Sequence, residues 1–208
     1  MPDPVRSVCV FCASSDAVSD DFRTVARDLG KAIAARGWEL VYGGGGIGLM
    51  GEVSSAVMEA GGAVYGVIPR RLAKREVAAV EITELVTVDT MRERKALMDQ
   101  RADAFVVLPG GIGTLEELLE IMTLRQLGYH DRPVVVIDAE GFWQPLAELL
   151  DSMIAARLAP RSVHELWQLV PDVAAALDAL DQPSHASAAS LEELLEVVEA
   201  PPPADAEA

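Results

Sequence analysis

Residues 104–117 of the chain read AFVVLPGGIGTLEE. The apolar residues 104–108 indicate a buried strand, and residues 118–127 are apolar at the spacing of a helix. Between them lies a glycine turn, where the backbone can approach a ligand closely. Free N–H groups at the start of the helix, with the helix dipole behind them, favour an anion such as phosphate. The stretch therefore predicts an α/β protein with an anion site at this turn.

Glu117 lies one turn inside this predicted helix, and its local pattern has two interpretations. It is either a functional carboxylate or half of a capping box. In such a box Thr114 accepts a hydrogen bond from the backbone at 117, and Glu117 reaches back. The wider pattern described below favours the functional role, with capping as a compatible secondary role.

Strands and helices alternate outward from this stretch. Apolar segments predict strands at 7–12, 38–42, 63–68, 85–88, 104–108 and 134–137. Helical spacing predicts helices from the glycine turn 43–51 to residue 60 and at 20–36, 91–101, 118–127, 141–158 and 173–180. This alternation implies right-handed crossovers. The predicted fold is a Rossmann-like, doubly wound parallel sheet with helices on both faces.

Ligands of such sheets bind beyond the carboxyl ends of the strands. Ser14 and the glycine turns 43–48 and 109–114 follow predicted strands directly, so they should meet at this edge. The turn 43–51 also matches the GxGxxG dinucleotide pattern, but six glycines in nine residues make that match weak. An arginine at 70 or 71 leaves an NADP interpretation open. A nucleoside phosphate fits better, with one turn binding the phosphate and the other presenting Glu117.

Length and composition favour one domain of a cytoplasmic protein. The chain has 208 residues, enough for one core, and its sequence predicts a catalytic domain at 1–182 and an acidic, Pro- and Ala-rich tail at 183–208. No apolar run approaches the length of a membrane span, and the N-terminus lacks the pattern of a signal peptide. The net charge of -16 opposes binding to nucleic acid or to anionic membranes.

Basic residues are concentrated in one segment of this acidic chain. Eight of the 17 Lys and Arg lie between 70 and 101: Arg70, Arg71, Lys74, Arg75, Arg92, Arg94, Lys95 and Arg101. The segment indicates either a small anionic ligand or a solvated helix face. Arg94 could bind a carboxylate or phosphate with its two-pronged guanidinium, while Lys95 supplies a point charge on another sector of the helix.

Two cysteines and three histidines do not indicate a metal site. Cys9 and Cys12 form a C-x-x-C pattern, but they lie in a predicted strand, where residues three apart face opposite ways. We expect two buried thiols. The histidines show no ligand spacing, so a structural zinc site is not supported. We also expect no cofactor.

Several motifs in fixed order resemble one known family. The segment Pro109-Gly110-Gly111-x-Gly113-Thr114-x-x-Glu117, Arg94-Lys95 upstream of it, and the glycine turn 43–51 are similar to motifs of the Lonely Guy (LOG) family, over about residues 5–180. LOG proteins are cytokinin-activating phosphoribohydrolases that are often mislabelled lysine decarboxylases. The resemblance implies hydrolysis of the N-glycosidic bond of an N6-modified adenosine 5′-monophosphate by water. It also implies a homodimer.

The resemblance also assigns site residues. It places the catalytic pair at Arg94 and Glu117. Its substrate-binding positions match Ser14, Gly44, Gly45, Glu76, Met91, Lys95, Gly110, Gly111, Ile112, Gly113, Thr114, Leu115, Glu116 and Thr123. Many members read Met-His-x-Arg-Lys, whereas this chain has Arg92 in place of the His, a difference that bears on substrate range.

A ribosyl bond that breaks leaves positive charge on the sugar. We expect a carboxylate kept ionised by the helix N-terminus to stabilise that charge and to take a proton from water. Glu117 suits both tasks, and Arg94 would orient it or the ribose.

Two other functions are open to the same sequence. One is a non-catalytic binding protein similar to molybdenum-cofactor carriers, and the other is a decarboxylase, which would need pyridoxal phosphate and a Schiff-base lysine. Of the three lysines, Lys31 and Lys74 lack a site context and Lys95 neighbours Arg94. The apolar face of 118–127 could pack across a dimer or inside one chain.

Overall fold

Parallel strands dominate the computed structural model, which describes residues 6–73 and 81–182. Within these ranges seven strands form one sheet in the order β4-β3-β2-β1-β5-β6-β7. The strands are β1 Ser7–Phe11, β2 Glu39–Tyr42, β3 Ala63–Pro69, β4 Glu84–Val88, β5 Ala104–Val107, β6 Val134–Ile137 and β7 Gln168–Val170. Every pairing is parallel, as the sequence predicts.

Helices cover both faces of this sheet. They are α1 Asp20–Ala35, α2 Gly48–Glu59, α3 Arg70–Ala73, α4 Met91–Arg101, α5 Ile112–Gln126, α6 Gln144–Ala155 and α7 Val173–Leu180, with 3₁₀ turns at Ala139–Gly141 and Arg161–Leu166. One core packs the sheet against α1, α2 and α7, and a second packs it against α4, α5 and α6. The central strands are apolar except for Ser7 because both of their faces are buried.

The direction in which successive strands are added to the sheet reverses at β1. Strands β1 to β4 are added outward on one side, and α4 then carries the chain back to β5, on the other side of β1. The turns that follow β1 and β5 therefore lead to helices on opposite faces. A crevice opens between such turns at the carboxyl ends of the two strands, and ligands bind there in this class of fold. The Ala13 amide donates to the Pro109 carbonyl at 3.2 Å across the base of this crevice.

The predicted elements differ from the structure at β7, at α6 and at α5, which begins at Ile112 rather than at 118. β7 was not predicted, because it is a short and incompletely buried strand that gives little apolar signal. The helix expected at 141–158 is α6, and it is shorter. It starts late because Glu140 takes a positive φ of 56° and the Asp138 carboxylate accepts a hydrogen bond from the Trp143 amide. The predicted tail, 183–208, lies outside the described residues.

Other expectations about packing are confirmed. Cys9 and Cys12 are free, buried thiols that face the two different cores. Burial raises the pKa of both thiols. Leu118, Ile121 and Met122 are buried inside the chain, so the intramolecular explanation accounts for the apolar face of 118–127.

No helix in the described ranges is long and apolar enough to cross a membrane.

Candidate active site

A cavity of about 360 Å³ occupies the crevice between β1 and β5. Its walls come from the turn after β1, the starts of α4 and α5, and single side chains of α2 and α3. The lining residues are Cys12, Ala13, Ser14, Ser15, Met50, Leu72, Met91, Arg94, Gly111, Ile112, Gly113, Thr114, Glu116 and Glu117. Both predicted catalytic residues are among them.

Arg94 and Glu117 form a buried ion pair in the wall of the cavity. Arg94 Nη1 lies 3.3 Å from Glu117 Oε1, and the two side chains are 7% and 8% exposed. Arg94 also donates from Nε to the Val67 carbonyl at 3.2 Å and from Nη2 to the Gly43 carbonyl at 3.3 Å. The alternative of a solvated Arg94 is therefore wrong. The guanidinium is fixed by α5 and by the carboxyl ends of two strands.

Gly43 makes room for this arginine. A Cβ atom at position 43 would lie 1.8 Å from Arg94 Nη2, far inside van der Waals contact. The glycine turn after β2 thus admits the guanidinium.

Helix α4 presents Arg94 from a well-capped start. The Thr90 side chain accepts a hydrogen bond from the Glu93 amide at 3.1 Å, and Glu93 Oε2 accepts one from the Thr90 amide at 3.2 Å. This is a complete capping box. Thr90-x-x-Glu93 carries the expected signature, but this box was not predicted.

The capping box expected at Thr114 and Glu117 is wrong. Helix α5 begins three residues earlier than such a box would require, so Gly111 is the N-cap residue, with no hydrogen bond from a capping side chain. Thr114 is instead buried against Gly110, where an added Cβ would lie 2.1 Å from Thr114 Oγ1. Glu117 is released from capping and is free to pair with Arg94.

The two glycine turns differ in how their helix starts are satisfied. At α2, Asp16 Oδ1 accepts from the Gly48 amide at 2.8 Å, and the Ala13 carbonyl accepts from Leu49 at 2.9 Å. At α5, Gly111 and Gly113 face open space beside the cavity. The start of α2 already holds a carboxylate, which disfavours an anion there, whereas the start of α5 adjoins the cavity and also carries Glu117.

Burial controls the protonation of Glu117. Removal from water raises its pKa from 4.5 to about 7, although Arg94 opposes the rise and Glu116 adds to it. The sequence led us to expect a carboxylate held ionised by the helix N-terminus, and burial of Glu117 opposes that effect. A carboxyl group with a pKa near neutrality can accept and release a proton during turnover.

Lys95 lies on another sector of α4, as expected. Its Nζ atom pairs with Glu116 Oε1 at 2.5 Å and with Glu120 Oε2 at 2.9 Å, and it does not line the first cavity. Other cations of the basic segment are paired too: Arg70 with Asp89, and Arg101 with Glu39. Lys74 and Arg75 lie outside the described residues. Of the described cations of this segment, Arg94 is the one that lines the first cavity.

The remaining predicted positions fall into three groups. Ser14, Met91 and the start of α5 line the cavity. Gly44 and Gly45 are buried and do not line it; Gly44 has a φ of +74° and packs against Ile68. Leu115 packs against the second core. Thr123 is exposed, and its hydroxyl donates a hydrogen bond to the Leu119 carbonyl. Glu76 is outside the described residues.

A second cavity, of about 370 Å³, runs between α4 and α5. We call it the α4–α5 groove. Its lining residues are Phe11, Arg92, Lys95, Ala96, Asp99, Glu117, Glu120, Ile121 and Leu124. Glu117 borders both cavities. The groove was not predicted, although residues 92, 95, 96 and 99 and residues 117, 120, 121 and 124 each recur at the spacing of one helix face.

Metal chemistry has no obvious site in the described part of the chain. Residues 6–73 and 81–182 contain no group of three or more His, Cys, Asp or Glu side chains arranged to hold a metal ion.

Comparison with known proteins identifies the family. The family model described as "Possible lysine decarboxylase" matches residues 50–180. The cytokinin riboside 5′-monophosphate phosphoribohydrolase LOG of Oryza sativa subsp. japonica is 42% identical over 201 residues, which cover 90% of this chain and 83% of that protein. The cytokinin riboside 5′-monophosphate phosphoribohydrolase LOG2 of Arabidopsis thaliana is 40% identical, over 86% of this chain and 85% of its own length. This chain belongs to the LOG family.

The LOG protein described here is thus an enzyme of the phosphoribohydrolase class. Solved structures share its fold. The molybdenum cofactor carrier protein MCP from Chlamydomonas reinhardtii matches with a TM-score of 0.66 and 23% identity, over 86% of this chain and 97% of that one. The molybdenum cofactor binding protein of Rippkaea orientalis matches with a TM-score of 0.61 and 18% identity, over 86% and 95%. At these identities the likeness establishes the LOG chain's architecture alone.

Proposed function

We propose that this enzyme hydrolyses the N-glycosidic bond of N6-modified adenosine 5′-monophosphates, releasing the free base and ribose 5-phosphate. The observation that carries the proposal is the position of Glu117. Its buried carboxyl group borders both the first cavity, at the start of α5, and the α4–α5 groove. A nucleotide that spans both spaces brings its glycosidic bond to this carboxyl group.

The 5′-phosphate fits the first cavity. The start of α5 has no side-chain cap, and its glycines let an anion approach the backbone. Ser14 and Ser15 line the same cavity, and their hydroxyl groups can donate to phosphate or ribose oxygens. Arg94 adds positive charge deeper in the same cavity.

The base and its N6 substituent fit the groove. Phe11, Ile121 and Leu124 give it apolar walls, and Ala96 leaves space between the helices. An apolar N6 side chain gains by burial against such walls at about 25 cal/mol per Å². Arg92, Lys95 and Glu120 supply polar contacts for the edge of the base.

The chemistry follows from the charge that develops on the sugar. As the bond from C1′ to the base nitrogen breaks, its electron pair leaves with the base and positive charge grows at C1′. Ionised Glu117 stabilises that charge and takes a proton from the attacking water, whose oxygen bonds to C1′. The departing base gains one proton, so Glu117 can return to its carboxylate form. Arg94 holds the Glu117 carboxylate in place.

A substrate panel tests this function. Purified enzyme is incubated with isopentenyl-AMP, AMP, and the corresponding nucleoside and diphosphate, and released base is separated by chromatography. We expect release from the monophosphates, fastest with the N6 side chain, and none in an Arg94→Ala variant that remains folded. A protein that binds these nucleotides and releases no base would be a carrier instead.

We also infer that the enzyme acts as a homodimer in the cytoplasm. The family resemblance implies the dimer, and Leu119 and Leu127 expose 40% and 43% of their surface on the outer side of α5. Light scattering after size-exclusion chromatography tests the mass directly. A monomeric mass at micromolar concentration would refute the dimer.

A further inference from the structure

The turn after β1 holds the start of α2 with its own polar groups. The Ala13 carbonyl accepts hydrogen bonds from the Leu49 amide at 2.9 Å and from the Met50 amide at 3.3 Å. Asp16 Oδ1 accepts one from the Gly48 amide at 2.8 Å. A helix start with unsatisfied N–H groups usually attracts an anion. Here a carboxylate of the chain occupies that position.

The contact between the two segments is also steric. Gly48 has a φ of +60°, and a Cβ atom there would lie 2.6 Å from the Ser15 carbonyl oxygen and 2.9 Å from that of Ala13. On its other side the turn is bonded to the glycine turn of β5, through the Ala13 amide and the Pro109 carbonyl at 3.2 Å. Residues 13–16 therefore connect both glycine turns, and they carry Ser14 and Ser15 into the cavity wall.

Arg23, on α1, contacts Asp16 and helps to hold it in place. Arg23 Nη2 donates to the Asp16 carbonyl at 2.6 Å and lies 3.9 Å from Asp16 Oδ1, and Arg23 Nη1 donates to Glu52 Oε1 at 2.6 Å. Arg27 holds the second oxygen of Glu52 at 3.0 Å. These side chains join α1, the turn and α2. The lining of the first cavity contains neither Asp16 nor Arg23 nor Glu52.

We propose that Asp16, fixed by Arg23 and Glu52, is a positioning residue for substrate binding: it holds the turn 13–16 so that Ser14 and Ser15 face the ribosyl phosphate. This rests on the proposed function. Arg94 and Glu117 are held separately, by Val67, Gly43 and each other. Loss of Asp16 therefore weakens binding and leaves the chemical step intact. It acts on KM rather than on kcat.

The test compares Asp16→Ala with Asp16→Asn, which keeps an oxygen that accepts from the Gly48 amide. The Asp16 side chain is 66% exposed, so the effect is moderate. We expect Asp16→Ala to raise KM for isopentenyl-AMP about three- to tenfold, with kcat within about twofold of the wild type. Asp16→Asn should restore KM to within about twofold. Arg23→Met, which removes the support from α1, should raise KM in the same direction.

Exposed Asp21, on the first turn of α1, provides the matched control as Asp21→Ala, and its KM should not change. An unchanged KM in Asp16→Ala, an equal fall of kcat, or no rescue by Asn would overturn the positioning role. If wild-type enzyme releases no base, the proposed function fails. Calorimetric titration of the same variants with ribose 5-phosphate then tests the positioning role alone, because the Kd should rise in Asp16→Ala and return in Asp16→Asn.

Discussion

Glu117 and Arg94 illustrate how much of the site depends on single residues. Their pairing requires burial of both charges, a cost that the bonds from Arg94 to the Val67 and Gly43 carbonyls offset. The sequence predicted both residues through a motif resemblance. It could not predict their burial, because the carbonyls that hold Arg94 come from positions 27 and 51 residues away.

The pKa of Glu117 makes the activity dependent on pH. The carboxyl group is neutral below pH about 7 and ionised above it, because burial raises its pKa to about 7. Since the ionised form stabilises the sugar cation, we expect kcat/KM for base release to rise through pH 7 and then level off. A pH series from 5.5 to 8.5 in one buffer system of constant ionic strength measures this. A rate that is flat across neutrality would contradict the proposed role.

Gly43 sets the position of Arg94. In Gly43→Ala the new Cβ displaces the guanidinium, because it would lie 1.8 Å from Nη2. We expect kcat to fall about 100-fold while the fold is kept, since small misplacements of catalytic groups have effects of this size. The control is a double-mutant cycle in which Gly43→Ala has no further effect when Arg94 is already alanine. Additive losses would show that Gly43 acts on something other than Arg94.

At the scale of elements, helix starts determine what each turn can bind. Helix α2 starts against a carboxylate of the chain, α4 starts with a complete capping box, and α5 starts with an uncapped glycine beside the cavity. Thr90-x-x-Glu93 and Thr114-x-x-Glu117 match the same short pattern, and only the first is a box. Local sequence cannot separate them, because the residue where a helix begins depends on the turn before it.

The capping box of α4 should contribute to stability. We expect Thr90→Ala to lower the free energy of unfolding by about 1 kcal/mol, because the Glu93 amide loses its acceptor. Urea denaturation followed by circular dichroism measures the change. Thr90→Ser keeps the hydroxyl and should stay close to the wild type. Equal stability of the Ala and Ser variants would mean that the cap contributes nothing.

At the scale of the whole molecule, the order of strands places the site. Alternating apolar segments predicted the parallel, doubly wound sheet, and the bounds of α4 and β6 match the predicted ones. The crevice lies at the predicted edge because β1 and β5 are neighbouring strands, and the turns that follow them lead to helices on opposite faces of the sheet. The groove between α4 and α5 was not predicted, since it depends on how far apart two packed helices lie.

The α4–α5 groove should select among substrates. We expect Leu124→Trp to fill it and to lower kcat/KM for isopentenyl-AMP about tenfold, with a smaller loss for AMP, which lacks the apolar side chain. Leu149→Trp, at a half-exposed position on α6, is the control for adding an indole to a helix surface. Parallel losses for both nucleotides would place the N6 group elsewhere.

The central claim is that Glu117 carries out the hydrolysis of a nucleoside 5′-monophosphate. The most direct test measures base release from isopentenyl-AMP by the wild type, by Glu117→Gln, and by Glu148→Gln, an exposed glutamate of α6. We predict one equivalent each of free base and ribose 5-phosphate from the wild type and from Glu148→Gln. Release by a folded Glu117→Gln enzyme should be at least about 1000-fold slower. Near-normal turnover by Glu117→Gln would contradict the claim.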